Sequence, residues 1–428
     1  MLNVNQVLNE WKNNKTVINN VFQFLCRGDL FYHDSLKDIV ERKEVTGPRL
    51  LIYQLKTISL AIFTIKCIVL ALNRDQSVLP LFGEAFHLVF TKVHIWYALF
   101  AVLGFIVVLG QLTVLYLEYN GKLMTAHSLF NYLNEEPFYI LSKANEEKLL
   151  MRSNIIYQMN YKVEWIPFYF ICFMFTWLHC LAYYYHADQY NSIVLLLNLF
   201  NAITFILHTR ILFFAGFICF YIIITFFNYK LDEITQSLRI AVRWRNRNKF
   251  IATMSEYDKL TKLIEQNSPL INSGIGNMYV MAPYFTSVCL QLVRPESGTP
   301  FDLLWRFIVW VCLAISVFMP WSVSMFTISI TTKNKAIVKN LYRMFITNNI
   351  PGNSSQNNLS IKKSVATLSQ SLYSKELLKI DSFIDRLNSQ FIGFYCFNLY
   401  KITKLAFYNY WITLSSCYFL ITGFIEGY

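Results

Sequence analysis

The chain has 428 residues, of which 55% are hydrophobic, 17% aromatic and 15% charged, and its net charge is +12. Soluble domains contain about 25% charged residues, and disordered chains need low hydrophobicity, so the composition argues against both classes. A positive excess indicates nucleic acid or an anionic membrane as a partner, and the positions of the charges decide between them.

Seven apolar segments predict an all-α, polytopic membrane protein. A membrane-spanning helix needs about 20 mainly apolar residues, and each segment has about that length or more. The fourth is longer than one span at about 1.5 Å per residue, so we expect it to tilt or to leave the bilayer at one end. In chain order the segments are 51–72, 88–117, 166–186, 193–227, 275–293, 303–328 and 405–425.

Two lysines, Lys56 and Lys66, interrupt the first of these segments. A long basic side chain keeps its charge in water while its stem covers apolar surface. We therefore expect these two side chains to extend toward opposite membrane interfaces.

The basic residues lie on alternate sides of the predicted spans. Segments 1–50, 118–165, 228–274 and 329–404 together hold 31 Lys and Arg residues, whereas the other connecting segments and the tail hold 2. Lys and Arg concentrate on the cytoplasmic side of membrane proteins. The N-terminus is therefore predicted inside and the C-terminus outside. The positive charge then indicates the anionic inner leaflet of a bilayer, and we expect no nucleic-acid partner.

This direction divides the chain into four parts. Residues 1–50 are a cytoplasmic segment, 51–328 a bundle of six transmembrane helices with helical inner loops, 329–404 a cytoplasmic loop with an anchor helix, and 405–428 the seventh helix. The anchor helix is predicted from apolar residues spaced alternately by three and four, which form one helical seam. This seam packs either within one subunit or between subunits, and its residues are Leu377, Ile380, Ile384, Leu387 and Phe391.

The sequence lacks the motifs of several other membrane and enzyme classes. Receptors coupled to G proteins have seven spans in the opposite direction. The span interiors contain no Asp or Glu, which a proton-coupled transporter normally needs, and their histidines lack metal-ligand spacing. We find no phosphate loop, GxSxG or GxGxxG motif. We therefore expect neither an enzyme nor a metal site or cofactor.

The C-terminal residues carry a family resemblance. The stretch 391–399 reads FIGFYCFNL and precedes the last span, which contains Ser416-Cys417, the hydrophobic residues 418–422, and Gly423-Phe424. Together with seven spans, an inside N-terminus and short outer loops, this pattern resembles the insect gustatory receptor family. That family has Thr-Tyr, five hydrophobic residues and Gln-Phe in its last span. Phe424 matches this motif, whereas Gly423 replaces the glutamine and Cys417 replaces the tyrosine.

The resemblance implies a ligand-gated, non-selective cation channel of four subunits in the plasma membrane. In that family the last span of each subunit lines the pore, and the inner helices hold the subunits together. Phe424 is then a hydrophobic gate or, alternatively, an aromatic anchor at the interface. Glu426 either attracts cations or is a solvated terminal charge. The pore and gate residues expected on this basis are Thr413, Ser416, Leu420, Gly423, Phe424 and Glu426.

The ligand pocket implied by the resemblance lies in the outer half of the bundle. Aromatic walls with a few polar groups suit a small molecule such as a tastant. Each aromatic side chain alone could equally belong to the core or to the interfacial belt. Arg306 could also reach the outer surface or pair with Asp302. The expected ligand-binding residues are Trp177, Tyr183, Asn198, Asn201, Tyr284, Gln291, Trp305, Arg306 and Trp310.

Two functions remain open at this point. The first is a chemosensory channel that binds a small molecule and conducts monovalent and divalent cations, as a tetramer with itself or with related subunits. The second is a non-conducting or modulatory membrane protein on the same scaffold, with a structural or ligand-binding role. Gly423 favours the second, because the polar group beside the gate is missing. A transporter is less favoured, because the spans lack acidic residues.

Overall fold

The protein is almost entirely helical over the part that the structure describes. A computed structural model describes residues 47–73, 76–86, 93–119, 141–185, 188, 190–210, 216–244, 247–293, 300–349, 394–396, 400–402 and 404–426. Its helices are α1 (Gly47–Leu72), a 3-10 helix (Gln76–Phe82), α2 (Val93–Tyr119), α3 (Lys143–Tyr185), α4 (Ser192–Arg210), α5 (Gly216–Arg243), α6 (Arg247–Val293), α7 (Pro300–Asn349) and α8 (Lys404–Glu426).

The apolar segments form helices, as their composition predicts. The described parts of six predicted spans each lie within a single helix. The described parts of segment 193–227 belong instead to two helices, α4 and α5, so the excess length of this segment is divided between them. Within the described residues, four helical stretches are long and apolar enough to cross a membrane by length and composition, namely Leu51–Leu72, Val93–Leu117, Ser192–Arg210 and Arg306–Lys339. The total of seven spans and their direction stay predictions.

Prolines are accommodated inside the long helices. Pro283 lies within α6 and Pro320 within α7. Proline at position i removes the backbone donor to the carbonyl oxygen of residue i−4. The prolines' own carbonyl oxygens accept from serine hydroxyls, at 2.7 Å from Ser287 to Pro283 and at 2.5 Å from Ser324 to Pro320. Both helices continue past their prolines.

Helix α6 is the central element of the fold, because it packs against α2, α5, α7 and α8. Its first half belongs to one buried cluster with α5, α7 and the segment before α8. Its last turns, around Phe285 and Cys289, belong to a second cluster with α1, α2, α4 and the end of α3. In the predicted direction, the second cluster is the outer half of the bundle.

Beyond the predicted spans, several helices continue on the predicted inner side. Lys333 of α7 pairs with Asp232 of α5 at 2.7 Å, and Ser329 donates to the Asn228 side-chain oxygen at 2.9 Å. The Tyr257 hydroxyl of α6 donates to the side-chain oxygen of Asn334 in α7. These contacts join the inner parts of three helices, and the sequence does not predict which of them are neighbours.

A short hairpin precedes the last helix and was not predicted. Strands β1 (Tyr395–Cys396) and β2 (Tyr400–Lys401) are antiparallel. The backbone N–H of Tyr395 donates to the side-chain oxygen of Asn272 in α6 at 2.8 Å. Strand pairing and this side-chain acceptor satisfy backbone groups that a helix would satisfy internally. The predicted anchor seam from Leu377 to Phe391 lies outside the described residues.

Candidate functional site

The predicted ligand-binding residues lie in several different environments. Asn198, Asn201 and Gln291 point into the helix bundle, where each has a side-chain partner. The aromatic residues Trp177, Tyr183, Tyr284 and Trp310 are 40–56% exposed on the surface of the single chain. Arg306 is half-buried, and the side chain of Trp305 lies outside the described residues. The structure therefore does not bring the eight described side chains of this set together around one cavity; it gathers only part of the polar subset near the end of the bundle that is predicted to be outside.

The outer end of the bundle contains a buried ion pair. Lys66 of α1 binds Glu84, which follows the 3-10 helix, and it also donates to the side-chain oxygen of Asn198 in α4. The side chains of Lys66 and Glu84 are 13% and 4% exposed. Lys66 therefore does not extend to a membrane interface as its sequence position suggests. The chain folds an acid back onto it, and a buried charge is stable when it is paired.

Two tyrosines complete the surroundings of Glu84. The Tyr97 hydroxyl of α2 donates to the Glu84 carboxylate at 3.1 Å, and the Tyr190 hydroxyl donates to the Glu84 backbone oxygen at 2.9 Å. Burial, with the Glu84 charge adding to it, raises the pKa of Tyr190, which lies between α3 and α4. Tyr190 therefore stays protonated and remains a hydrogen-bond donor at neutral pH.

Asn198 connects this ion pair to α3. Its side-chain amide donates to the Gly83 oxygen at 2.8 Å and contacts Nε2 of His179 at 3.0 Å. Nδ1 of His179 lies 2.7 Å from the Phe175 oxygen, which can only accept. Nδ1 therefore carries the hydrogen and Nε2 accepts from Asn198, so His179 is neutral in this arrangement.

Aromatic rings fill the space beside the polar network. The ring centroid of Phe86 lies 4.9 Å from that of Phe175, 5.5 Å from that of Phe100 and 6.1 Å from that of Tyr97. Segment 76–86 thus contributes both a charged and an aromatic side chain to the bundle. Sequence reasoning missed this role, although an acid in the short loop that follows a span containing Lys66 is a usable signal.

An apolar groove lies between α7 and α8. Its volume is about 390 Å³, and its lining contains no charged side chain. Trp310, one of the predicted ligand-binding residues, belongs to it. The lining residues are Trp310, Leu313, Ala314, Val317, Phe318, Trp321 and Trp411.

The last helix buries one face and exposes another. Its buried side chains, Ala406, Tyr410, Leu414 and Cys417, follow helical spacing and share the side that packs on α6. The exposed face carries polar groups and most of the predicted pore line. Thr413 and Ser416 donate to backbone oxygens four residues earlier, at 2.9 and 3.0 Å. The exposed residues on the line are Asn409, Thr413, Ser416, Leu420 and Gly423, while the side chains of Phe424 and Glu426 lie outside the described residues.

One polar contact joins the outer ends of α6 and α8. The Gln291 side-chain amide donates to the Thr422 hydroxyl, one residue before Gly423. Gln291 was predicted as a ligand-binding residue, and the structure places it against the helix that carries the predicted gate. Thr422 was not on the list of pore residues, and its position on the edge between the buried and exposed faces explains why helical spacing alone did not select it.

Metal coordination has no candidate site in the described ranges, because no three His, Cys, Asp or Glu side chains are grouped there. A scan against protein-family models and a search of curated proteins found no match to the sequence.

Solved structures of the insect olfactory receptor OR5 from Machilis hrabei are similar to this chain. The structure of its complex with eugenol covers 95% of this chain and 97% of that chain, with a TM-score of 0.60 and 10% identity. A second structure of the same receptor covers 97% of this chain and 98% of that chain, with a TM-score of 0.61 and 11% identity. The chain therefore has the fold of an insect olfactory receptor.

Proposed function

We propose that this chain is a subunit of a chemosensory, ligand-gated cation channel in the plasma membrane. The exposed polar face of α8 is the observation that carries the proposal. A helix surrounded by lipid on its exposed side has no need for Asn409, Thr413 and Ser416 there. A helix that borders a water-filled pore needs polar side chains on the side that faces the water.

The assembly proposed is a tetramer of this chain or of this chain with related subunits. Four copies of the line through Thr413, Ser416 and Leu420 enclose a central path, and Phe424 of each copy forms a hydrophobic gate at its outer end. The neighbouring exposed strip is bulky and apolar, with Tyr408, Ile412 and Phe419. That strip faces lipid or the adjoining subunit. Glu426 lies at the pore mouth, where a ring of carboxylates attracts monovalent and divalent cations.

The proposed ligand is a small organic molecule. The fold supports this, because one solved structure of the olfactory receptor with the same architecture is a complex with eugenol. The aromatic rings of Phe86, Phe100 and Phe175 and the polar groups of Asn198 and Gln291 are the kinds of side chain that bind such a ligand, and we propose that the ligand contacts them after the rings move apart. A taste ligand, as in gustatory receptors, is the specific form that the C-terminal resemblance favours.

Current recordings test the proposal. The full chain, expressed alone and with related subunits, should conduct cations when panels of small organic molecules are applied. Phe424→Ala should raise the current without ligand, because a narrow apolar ring no longer excludes water. Phe419→Ala is the matched control, since it removes an exposed aromatic ring from the same helix outside the proposed pore line. Absence of current in every combination, with no effect of Phe424→Ala, would contradict the proposal.

A non-conducting or modulatory subunit is the second candidate, and Gly423 favours it. A Cβ atom built on Gly423 meets nothing within 4 Å among the described residues, so there is room for a side chain at this position. A Gly423→Gln variant separates the two candidates. If the Gly423→Gln variant conducts cations and the unmodified chain does not, the scaffold is a channel whose gate region has lost its function. If neither protein conducts although both assemble correctly, the role of the chain is binding or modulation.

A further inference from the structure

Segment 76–86 is folded inward by a tight turn at Gly83. The Gly83 N–H donates to the Pro80 oxygen at 3.0 Å, and the Glu84 N–H donates to the Leu79 oxygen at 3.1 Å. The φ angle of Gly83 is 67°, a conformation that side chains other than hydrogen rarely allow. The turn lies against α4, and it directs Glu84 into the bundle rather than into solvent.

Glu84 is bound there as a small carboxylate would be. Lys66 donates to one carboxylate oxygen and Tyr97 donates to the other. These donors come from two different helices, and neither belongs to segment 76–86. Lys66 is oriented further by the Asn198 side-chain oxygen. An ammonium group and a phenol that donate hydrogen bonds to separate carboxylate oxygens form a recognition site for a carboxylate.

We propose that segment 76–86 is a lid, held shut because its Glu84 occupies a carboxylate site formed by Lys66 and Tyr97, and that a small external carboxylate binds this site when Glu84 leaves it. The tethered acid is an internal competitor of the external one. Opening without a replacement anion leaves Lys66 as an uncompensated charge in a largely apolar cluster, which is costly. The lid therefore opens more readily when a carboxylate is available.

The chain contains its own reporters of this movement. Cys67 is buried in the same cluster as Leu79 and Phe86 of the lid. Cys289 of α6 is buried in that cluster too, and Cys180 of α3 is exposed. The rate at which a water-soluble thiol reagent alkylates each cysteine, resolved by peptide mass spectrometry on the full chain in detergent, measures where the bundle opens.

The decisive variant is Glu84→Ala. It should accelerate alkylation of Cys67 by about tenfold or more, because the lid loses its ion pair, while Cys289 stays protected. Added propionate should accelerate alkylation of Cys67 in the unmodified chain, because it competes with Glu84 for the site, and propionamide, which has the same size without the charge, should not. Propionate should have no effect in the Lys66→Met, Glu84→Ala double variant.

Three outcomes overturn the proposal. An unchanged Cys67 rate in Glu84→Ala shows that Glu84 does not hold the lid. Equal acceleration by propionate and propionamide, or no acceleration by either, shows that the site does not recognise a carboxylate. If Glu84→Ala also exposes Cys289, the bundle has unfolded, and the Tyr97→Phe variant is used in place of Glu84→Ala. Tyr97→Phe removes one donor to the Glu84 carboxylate and should accelerate Cys67 alkylation severalfold. If it does not accelerate this alkylation, the proposal is overturned. None of these measurements uses current, so they succeed or fail independently of the proposed channel function.

Discussion

The side-chain amide of Asn198 donates a hydrogen bond of 2.8 Å to the backbone oxygen of Gly83, although the two residues are 115 positions apart in the chain. The same amide contacts His179, and the same side chain accepts from Lys66. One asparagine thus connects α4, α3, α1 and the segment between α1 and α2. A substitution of Asn198 therefore removes contacts among these four segments as well as any contact that Asn198 makes with a ligand.

Replacing Gly83 should destabilise the outer end of the bundle. In Gly83→Ala the new Cβ would lie 2.9 Å from the Val194 oxygen, and the backbone has a positive φ angle. We expect a loss of about 1–3 kcal/mol in the free energy of unfolding, measured by thermal unfolding in detergent. Gly274→Ala is the control, because nothing lies within 4 Å of its added Cβ. That helical change should be neutral or stabilise by about 0.5–1 kcal/mol, and equal losses in both variants would refute the expectation.

Cysteines placed on the two faces of α8 should react differently. Thr413→Cys, Ser416→Cys and Leu420→Cys lie on the exposed polar line, so a charged, water-soluble thiol reagent should modify them in assembled receptors. Leu414→Cys and the native Cys417 are buried against the bundle and should stay unmodified. Because a charged reagent does not enter lipid, modification indicates water on that face. Similar protection of all five positions would argue against a pore lined by α8.

Gln291→Leu should alter gating more than stability. The substitution leaves the Thr422 hydroxyl without its contact to α6, close to the predicted gate. The loss of one hydrogen bond, about 1 kcal/mol, corresponds to a roughly fivefold shift in the ligand concentration for half-maximal current. Thr286→Val is the matched control, because it removes a different buried hydrogen bond of α6, the bond of 2.9 Å from Thr286 to Ser316 in α7. If Thr286→Val shifts the response equally, the contact at Thr422 has no special role.

Tyr257→Phe should remove a pH dependence from the inner helices. Burial raises the pKa of Tyr257 in the folded protein, and the protonated hydroxyl binds Asn334. Its stabilisation is therefore complete below the unfolded pKa of about 10 and is lost as the pH rises toward the higher folded pKa. Thermal unfolding at pH 7 should show a loss of about 1 kcal/mol in the variant. Between about pH 9 and 11 the unmodified chain should lose more stability than the variant; parallel curves would contradict this assignment.

Much of the helical architecture could be predicted, and two features show where prediction stops. Segment 51–72 lies within α1, because a long apolar run in one stretch of chain is sufficient to form a helix. The division of segment 193–227 between α4 and α5 was not predicted, because the run of apolar residues resumes directly after Arg210. The hairpin at Tyr395 depends on an acceptor from Asn272, which is remote in sequence.

The candidate site shows the same limit. Helical spacing put Thr413, Ser416 and Leu420 on one line of α8, and all three are exposed in the single chain; their role in a pore stays a prediction. It could not say that Gln291 contacts Thr422 or that Asn198 binds a backbone oxygen of another segment. Those contacts depend on which helices become neighbours and on how each is rotated about its axis.

Hydropathy and charge are properties of each segment alone, so the amino-acid sequence was sufficient to predict long apolar helices with the basic residues on alternate sides. Its net charge of +12 predicted a membrane partner only after the residues were assigned to segments. The pairing of Lys66 with Glu84 inside the bundle, in contrast, became known from the folded chain. The reason is that the position of a buried charge depends on the folded path that brings its counter-charge to it, and this path is set by packing among distant segments.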